Sequence, residues 1–194
     1  MMEVLYMKAC FALLVDNEIH NYSRKLAFDF HRKYNTGFIS ARLPQHITLG
    51  PVFEVENIEE VEKYFDYIGE NLKSFEVLVT DIALKIYGDE EEGFGVIWMD
   101  IKESKELREL HNTIYKYITE HSWDTDNNDK YHFHSTIALG EKPARVYKEI
   151  FKCIPDKKIN HNCIVNEIAL FCTTDIENKM GTYITYKILN LKNK

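Results

Sequence analysis

Cysteine, basic charge and long apolar runs are all scarce in this chain of 194 residues. Its four cysteines form no Cys-x-x-Cys pair, which argues against a zinc ribbon or a disulfide framework. No apolar run approaches the ~20 residues of a membrane-spanning helix, and residues 1–11 lack the apolar core and cleavage site of a signal peptide. No linker rich in Pro, Gly or Ser divides the chain. We therefore expect one cytoplasmic domain over residues 1–194, with no membrane partner.

The charge balance of the chain is acidic. It carries 24 Lys and Arg residues against 31 Asp and Glu residues, which gives a net charge of −7. A protein that follows a long phosphate backbone usually presents a basic face to it. The charge therefore argues against extended nucleic acid as a partner and favours a small or terminal phosphate.

One pattern, His-x-Thr followed by an apolar residue, occurs twice. His46 and Thr48 belong to the first copy, and His134 and Thr136 belong to the second. Each copy lies in a run typical of a β-strand, where residues i and i+2 project from the same face. If the two strands lie side by side, they form a pocket with two His and two Thr. Such a pocket suits holding a phosphate and moving protons on either side of it.

The surroundings of the motif are repeated as well. The two motif histidines are 88 residues apart, and the segment 79–84 (Val-Thr-Asp-Ile-Ala-Leu) recurs as 165–170 (Val-Asn-Glu-Ile-Ala-Leu) with an offset of 86. Near-equal offsets at two places indicate one unit used twice, and two units are too few for a solenoid. The sequence therefore predicts two pseudo-repeat lobes, about 1–87 and 94–194, with a site between them.

Each half is predicted to contain a strand, a helix, the motif strand, a second helix and a further strand. The acidic run 88–93 is predicted to be a solvated turn. Apolar residues at helical spacing indicate helices that begin after Asp16 or Asn17, after Asn57, after Ser104 and after Pro143. Strand-like runs occupy residues 10–15, 45–53, 75–79, 96–101, 133–139 and 182–191.

The two motif histidines suit acid–base chemistry on a phosphodiester. Cleavage at neutral pH needs one group that takes a proton from the attacking oxygen and another that gives a proton to the leaving oxygen. Imidazole suits both roles because its unperturbed pKa is near ~6.5, and each such group typically contributes roughly 10²- to 10⁴-fold. The hydroxyls of Thr48 and Thr136 can hydrogen-bond the non-bridging oxygens and stabilise the charge that develops there. Two facing imidazoles need no metal for this chemistry.

The sequence also contains weaker candidates for substrate binding and for metal binding. His132 precedes His134 by two residues, and we interpret it either as a cleft-lining residue that contacts substrate or as an exposed imidazole. The two could begin a metal site, but no third ligand accompanies them. Residues 124–129 begin like a calcium loop but lack its glycine and closing glutamate. The remaining histidines have no partner in the repeat and are interpreted as surface or helix-face residues: His20, His31, His111, His121 and His161.

On the two motifs, the repeat around them and the opening segment 8–13, the chain resembles the two-histidine (2H) phosphoesterase superfamily. That superfamily contains bacterial 2′-5′ RNA ligases and 2′,3′-cyclic nucleotide phosphodiesterases. The resemblance implies an α+β fold in which duplicated βαβαβ-like lobes, with mainly antiparallel sheets, enclose a central cleft. It implies that His46 and His134 share the roles of general base and general acid. It also implies that Thr48 and Thr136 bind phosphate and that no metal or other cofactor takes part.

One departure narrows the expected partner. Many relatives carry an arginine just after a motif that grips a second phosphate or a nucleotide, whereas residues 50–51 (Gly-Pro) and 140–142 (Gly-Glu-Lys) stand here. We therefore expect a small nucleotide or an RNA-terminal cyclic phosphate as substrate of a metal-independent phosphodiesterase. Two alternatives stay open: an RNA 2′-5′ ligase or linkage hydrolase, and a phosphate or RNA-end binding module without turnover.

Overall fold

The computed structural model describes residues 7–121, 131–175, 177, 179 and 181–193, apart from the side chain of Glu141. The calcium-like segment 124–129 lies outside these residues. No helix in the described part of the chain combines the length and the apolar character that crossing a membrane requires.

The element order confirms the predicted strand, helix, motif strand, helix and strand of each half, with one short extra strand after the first motif and two further strands at the end of the second half. The first half comprises β1 (Met7–Leu14), α1 (Asn17–Tyr34), a short 3-10 helix (Ile39–Ala41), β2 (His46–Thr48), β3 (Phe53–Val55), α2 (Ile58–Asn71) and β4 (Phe75–Tyr87). The second half comprises β5 (Phe94–Lys102), α3 (Lys105–His121), β6 (His134–Pro143), α4 (Ala144–Cys153), β7 (Lys158–Val165), β8 (Glu167–Thr173) and β9 (Ile184–Asn190).

The helices begin where the sequence predicts. Asp16 accepts a hydrogen bond from the amide three residues later (3.0 Å), and Asn57 accepts one from the amide two residues later (3.0 Å). Ser104 accepts one from the amide three residues later (3.2 Å). Each bond satisfies a backbone N–H that has no partner within its own helix. α4 begins directly after Pro143.

The strands form two antiparallel sheets, which confirms the predicted fold class. The first sheet has the order β2-β1-β8-β9, with β3 also paired to β1, and the second has the order β6-β5-β4-β7. The third strand of each sheet comes from the other half of the chain, because β8 pairs with β1 and β4 pairs with β5. The turn at residues 88–93 joins β4 to β5 as a hairpin.

The two exchanged strands pair through residues that occupy equivalent positions in the sequence repeat. Leu13 pairs with Ile168 in the first sheet, and Met99 pairs with Ile82 in the second. Leu13 and Met99 are 86 residues apart, and so are Ile82 and Ile168, which is the offset seen in the repeated segments. The lobe bounds 1–87 and 94–194 stay a prediction about the sequence repeat, and each sheet crosses that division.

Successive side chains of β1 lie on opposite faces of the first sheet. Phe11 and Leu13 of β1 pack into a hydrophobic core that also receives the apolar faces of all four helices. Ala12 and Leu14 lie on the other face of β1, in a smaller cluster with Phe171 of β8. Burial of one large apolar side chain typically stabilises a protein by about 1.5–3 kcal/mol. Because β1 is buried on both faces, it holds the neighbouring motif strand β2 in place.

Candidate active site

The fold brings the two motif strands together. β2 and β6 lie at the ends of the two sheets, and they contact each other through side chains. The Ser135 hydroxyl of β6 donates a hydrogen bond to the carbonyl oxygen of His46 in β2 (2.7 Å). Two motifs that are 88 residues apart in sequence therefore lie at one place in the structure.

Two adjoining cavities lie at this junction and share Thr136 and Leu139 as a common wall. The first has a volume of about 270 Å³, and its other lining residues are Ile39, Ser40, Arg42, Leu43, His46, Val52, Gly181 and Tyr183. The second has a volume of about 380 Å³, and its other lining residues are Lys85, Tyr87, Val96, Trp98, His132 and His134. Two cavities elsewhere, of about 660 Å³ and 410 Å³, contain no motif residue. The chemistry of the lining residues, and not the volume, identifies the candidate site.

The two motif histidines are held in the same way. Nδ1 of His46 lies 2.7 Å from the carbonyl oxygen of Pro44, and Nδ1 of His134 lies 2.9 Å from the carbonyl oxygen of His132. A carbonyl oxygen only accepts, so each Nδ1 carries the hydrogen in the neutral imidazole. Nε2 of each ring then has a free lone pair with which to take a proton.

His46 has an apolar environment. Its ring packs edge-on against the Phe171 ring, with centroids 4.7 Å apart. Burial lowers the pKa of His46 to about 4, and its hydrogen bond to the Pro44 carbonyl opposes this shift. Positive charge on His134 and on Arg24 lowers the pKa further. His46 is therefore neutral at neutral pH, and its titration senses the charge of the other motif histidine.

His134 has a polar environment. Burial lowers its pKa, and its hydrogen bond to the His132 carbonyl oxygen raises it. The nearby charges of His132 and Lys85 lower the pKa, whereas the Asp100 carboxylate raises it. The Trp98 ring lies against the imidazole, with centroids 4.9 Å apart. The net effect lowers the pKa of His134, and the His132 carbonyl oxygen and the Asp100 carboxylate are the two groups that favour its imidazolium form.

Asp100 is held by two donors beside this histidine. The indole N–H of Trp98 donates to Oδ1 of Asp100 (2.6 Å), and Nε2 of His132 lies 2.8 Å from the same oxygen. The carboxylate is directly opposite His134 in the pairing of β5 with β6. His132 lines the second cavity, and its contact with substrate stays a prediction.

The two motif threonines differ in their surroundings. Thr136 lines both cavities. Thr48 lines neither of them, and its carbonyl oxygen accepts a hydrogen bond from the Tyr131 hydroxyl (3.0 Å). Burial raises the pKa of the Cys10 thiol to about 12, and a hydrogen bond with the Thr48 side chain opposes that rise. The Thr48 hydroxyl thus lies beside a buried thiol.

Several residues at the site were not found by sequence reasoning. Arg42 lines the first cavity and donates through Nη1 to the carbonyl oxygen of Gly181 (2.9 Å), while Lys85 lines the second cavity. Neither follows a motif, which is where the resemblance would place a cation. Trp98 and Asp100 lie opposite Thr136 and His134 in the strand register, so only the pairing of β5 with β6 identifies them.

His111 is the exception among the unpaired histidines. It is 2% exposed, its Nδ1 lies 2.8 Å from the carbonyl oxygen of Leu49, and its ring stacks on Tyr131. It therefore lies on the buried face of α3 and supports the end of the first motif, and it is not a surface residue. The described residues contain no group of three or more His, Cys, Asp or Glu side chains arranged to hold a metal ion.

Comparisons with known proteins agree with this fold. A family model described as the 2′-5′ RNA ligase superfamily matches residues 16–175. Among curated protein sequences, none matches the chain. Solved structures that share the fold include TT0787 of Thermus thermophilus, at 15% identity and a TM-score of 0.65, with 96% of this chain and 99% of that chain covered.

Two structures of E. coli LigT are also similar. The complex with 3′-AMP has 19% identity and a TM-score of 0.58, with 96% of this chain and 98% of that chain covered. The complex with ATP has 17% identity and a TM-score of 0.57, with coverage of 96% and 99%. At these identities the likeness concerns the fold.

Proposed function

Because the chain belongs to the 2′-5′ RNA ligase superfamily, we propose that it is a metal-independent phosphodiesterase with His46 and His134 as its proton-transfer groups. Its proposed substrate is a small or RNA-terminal 2′,3′-cyclic phosphate. The observation that carries the proposal is the matched pair of Nδ1 hydrogen bonds, which leaves Nε2 of both imidazoles for proton transfer. A pure binding site for phosphate would not need two such groups.

The different surroundings of the two histidines support different roles. A general base must begin the reaction neutral, and His46 meets this condition because burial among apolar side chains lowers its pKa to about 4. A general acid must begin protonated. Burial lowers the pKa of His134 as well, but the His132 carbonyl oxygen and the Asp100 carboxylate both raise it. A bound phosphate anion favours the imidazolium form as well. We assign His46 as the base and His134 as the acid.

In the proposed reaction, His46 takes a proton from water as the water oxygen bonds to phosphorus. The bond from phosphorus to one ring oxygen breaks, and His134 gives that oxygen a proton. The product is a phosphomonoester with a free ribose hydroxyl, and exchange of one proton with solvent restores both imidazoles. The Thr136 hydroxyl, on the wall between the two cavities, donates to a non-bridging oxygen. We assign the same role to the Thr48 hydroxyl.

The size and charge of the site support a nucleotide-like substrate. The two cavities hold about 270 Å³ and 380 Å³, enough for a nucleoside and a phosphate. Arg42 and Lys85 supply positive charge in a chain whose net charge is −7. The solved LigT structures contain 3′-AMP and ATP, which supports small nucleotides as the ligand class. The same cleft could serve ligation if a ribose 5′-hydroxyl replaced water as nucleophile.

A turnover assay tests the proposal. Nucleoside 2′,3′-cyclic phosphates are incubated with the protein in excess chelator, with and without an oligonucleotide that bears a 5′-hydroxyl. Ring opening to a monoester in chelator is the expected result. Joined product without monoester would favour the ligase, and tight binding without any product would favour a binding module. Loss of turnover in chelator, with recovery on added zinc or manganese, would contradict metal independence.

A further inference from the structure

A buried polar bridge joins the two motif strands. Gln45 is 3% exposed, and its side-chain oxygen accepts a hydrogen bond from the Ser23 hydroxyl of α1 (2.8 Å). Its side-chain nitrogen donates to the Ser135 hydroxyl (2.7 Å) and to the carbonyl oxygen of Thr136 (2.8 Å). The Ser135 hydroxyl, which is fully buried, donates in turn to the carbonyl oxygen of His46 (2.7 Å). Gln45 thus uses both amide hydrogens and its oxygen.

The bridge takes the place of the backbone hydrogen bonds that join neighbouring strands within a sheet. β2 and β6 belong to different sheets, and each lies at one end of its own sheet. The pairing of described residues gives β2 one strand partner, β1, and gives β6 one strand partner, β5. The distance between the motif strands therefore depends on side-chain bonds. Those bonds anchor one backbone carbonyl in each motif, that of His46 and that of Thr136.

The bridge also breaks the symmetry of the repeat. The residue 88 positions after Gln45 is Phe133, and the residue 88 positions before Ser135 is Ile47. Both counterparts are buried apolar side chains, at 2% and 0% exposure. A buried polar side chain without a partner is unfavourable. Gln45 and Ser135 satisfy each other's hydrogen-bonding groups across the two halves. An apolar side chain such as Phe133 or Ile47 in place of either one would leave the other without this partner.

We propose that Gln45 and Ser135 are positioning residues that set the separation of the His46 and His134 imidazoles. The inference rests on the proposed function, because that reaction needs both rings at one phosphorus atom. A misplacement of about 1 Å at a reacting group can lower a rate by roughly 10²-fold. Loss of the bridge should therefore slow the chemical step and leave substrate affinity almost unchanged.

Kinetics of Ser135→Ala, Gln45→Leu and the double variant test this role. Each single variant should lower kcat by roughly 10- to 100-fold with little change in KM. The double variant should be no worse than the more damaged single one, because both substitutions remove the same bridge. Ile68→Val is the control, since it removes one buried methyl group from α2, which belongs to neither motif strand, and it should keep kcat. Wild-type kcat in both single variants, at a temperature where they are folded, would overturn the proposal.

A second readout does not require turnover. The pKa of His46 is followed by NMR of labelled histidine, with His134 either present or replaced by Gln. The difference between these two pKa values measures how strongly one ring senses the other. Gln45→Leu should reduce that difference, and Ile68→Val should not. If the wild type hydrolyses no cyclic phosphate, the proposed function fails while this measurement still decides the positioning role. An unchanged difference in Gln45→Leu would overturn it.

Discussion

The two halves of the cleft hold equivalent histidines in environments of opposite polarity. His46 lies opposite Leu14 in the register of β1 with β2, and His134 lies opposite Asp100 in the register of β5 with β6. Leu14 and Asp100 are 86 residues apart and occupy the same place in the repeat. One histidine therefore faces a hydrocarbon side chain where the other faces a carboxylate.

The same contrast continues along the floor of the cleft. Phe171 in β8 and Lys85 in β4 are 86 residues apart, and so are Ala12 in β1 and Trp98 in β5. The two positions in the first sheet, Phe171 and Ala12, are apolar. The equivalent positions in the second sheet carry the Lys85 cation and the indole N–H of Trp98. The shared backbone frame gives two matched imidazoles, and a few floor side chains make one a candidate base and the other a candidate acid.

Removal of either imidazole should have the largest effect. His46→Ala and His134→Ala should each lower kcat for cyclic phosphate hydrolysis by about 10²- to 10⁴-fold. The double variant should be little worse than either, because the two groups act in one step. Circular dichroism and thermal unfolding check that the fold is kept. Wild-type rates in both single variants would refute the assignment of a two-histidine enzyme.

Replacement of the two motif threonines should lower kcat by unequal amounts. Thr136→Val should lower kcat by about 10²-fold, the loss typical of one donor in a preorganised site. Thr48→Val should lower kcat less, because Thr48 lines neither cavity and its hydroxyl lies beside the Cys10 thiol. Parallel measurement of kcat in the two variants tests this order. A larger loss in Thr48→Val would show that the two halves bind the phosphate in a different way.

Asp100→Asn should remove the carboxylate that distinguishes the surroundings of His134 from those of His46. The Asp100 carboxylate raises the pKa of His134, so its loss should lower that pKa. The protonated acid then disappears at a lower pH, and the upper limb of the bell-shaped rate profile should move to lower pH. The lower limb, set by His46, should stay in place. The kcat profile across the acidic and neutral range measures both limbs, and a shift of the lower limb instead would reverse the two roles.

Phe171→Leu should have the smallest effect. The substitution removes the ring that packs against His46 but keeps an apolar floor. Burial of His46 is reduced a little, so its pKa should rise and the lower limb of the rate profile should move slightly to higher pH. Tyr67→Leu on the exposed surface of α2 is a matched aromatic control. Equal profiles for Phe171→Leu and the wild type would mean that Phe171 does not set the pKa of His46.

Elements with a local signal could be predicted from the sequence. The helix starts at Asp16, Asn57 and Ser104 follow from a polar side chain before an apolar helical pattern, and all three are confirmed. The motif strands follow from alternation. The exchange of β4 and β8 between the sheets has no local signal, because it depends on which distant strand completes each apolar surface.

The candidate site divides in the same way. His46 and His134 could be chosen because a short pattern occurs twice at a constant spacing. Arg42 and Gln45 could not, since each gains its meaning from a chain segment at least 90 residues away. His111 was expected at the surface or on a helix face, and only the packed structure places it on the buried face of α3 beside the end of the first motif.

The sequence by itself determined the two motifs, the repeat that contains them and the order of helices and strands. The motifs and the helices and strands depend on residue type and on periods of two to four residues, and the repeat depends on two near-equal offsets of 88 and 86 residues. Only the tertiary structure decided that the third strand of each sheet comes from the other half and that Gln45 and Ser135 join the motif strands. It also decided that a carboxylate pairs in register with His134, whereas Leu14 pairs with His46. Those features arise from contacts between distant segments, and the polarity of a histidine's surroundings exists only once those segments have packed.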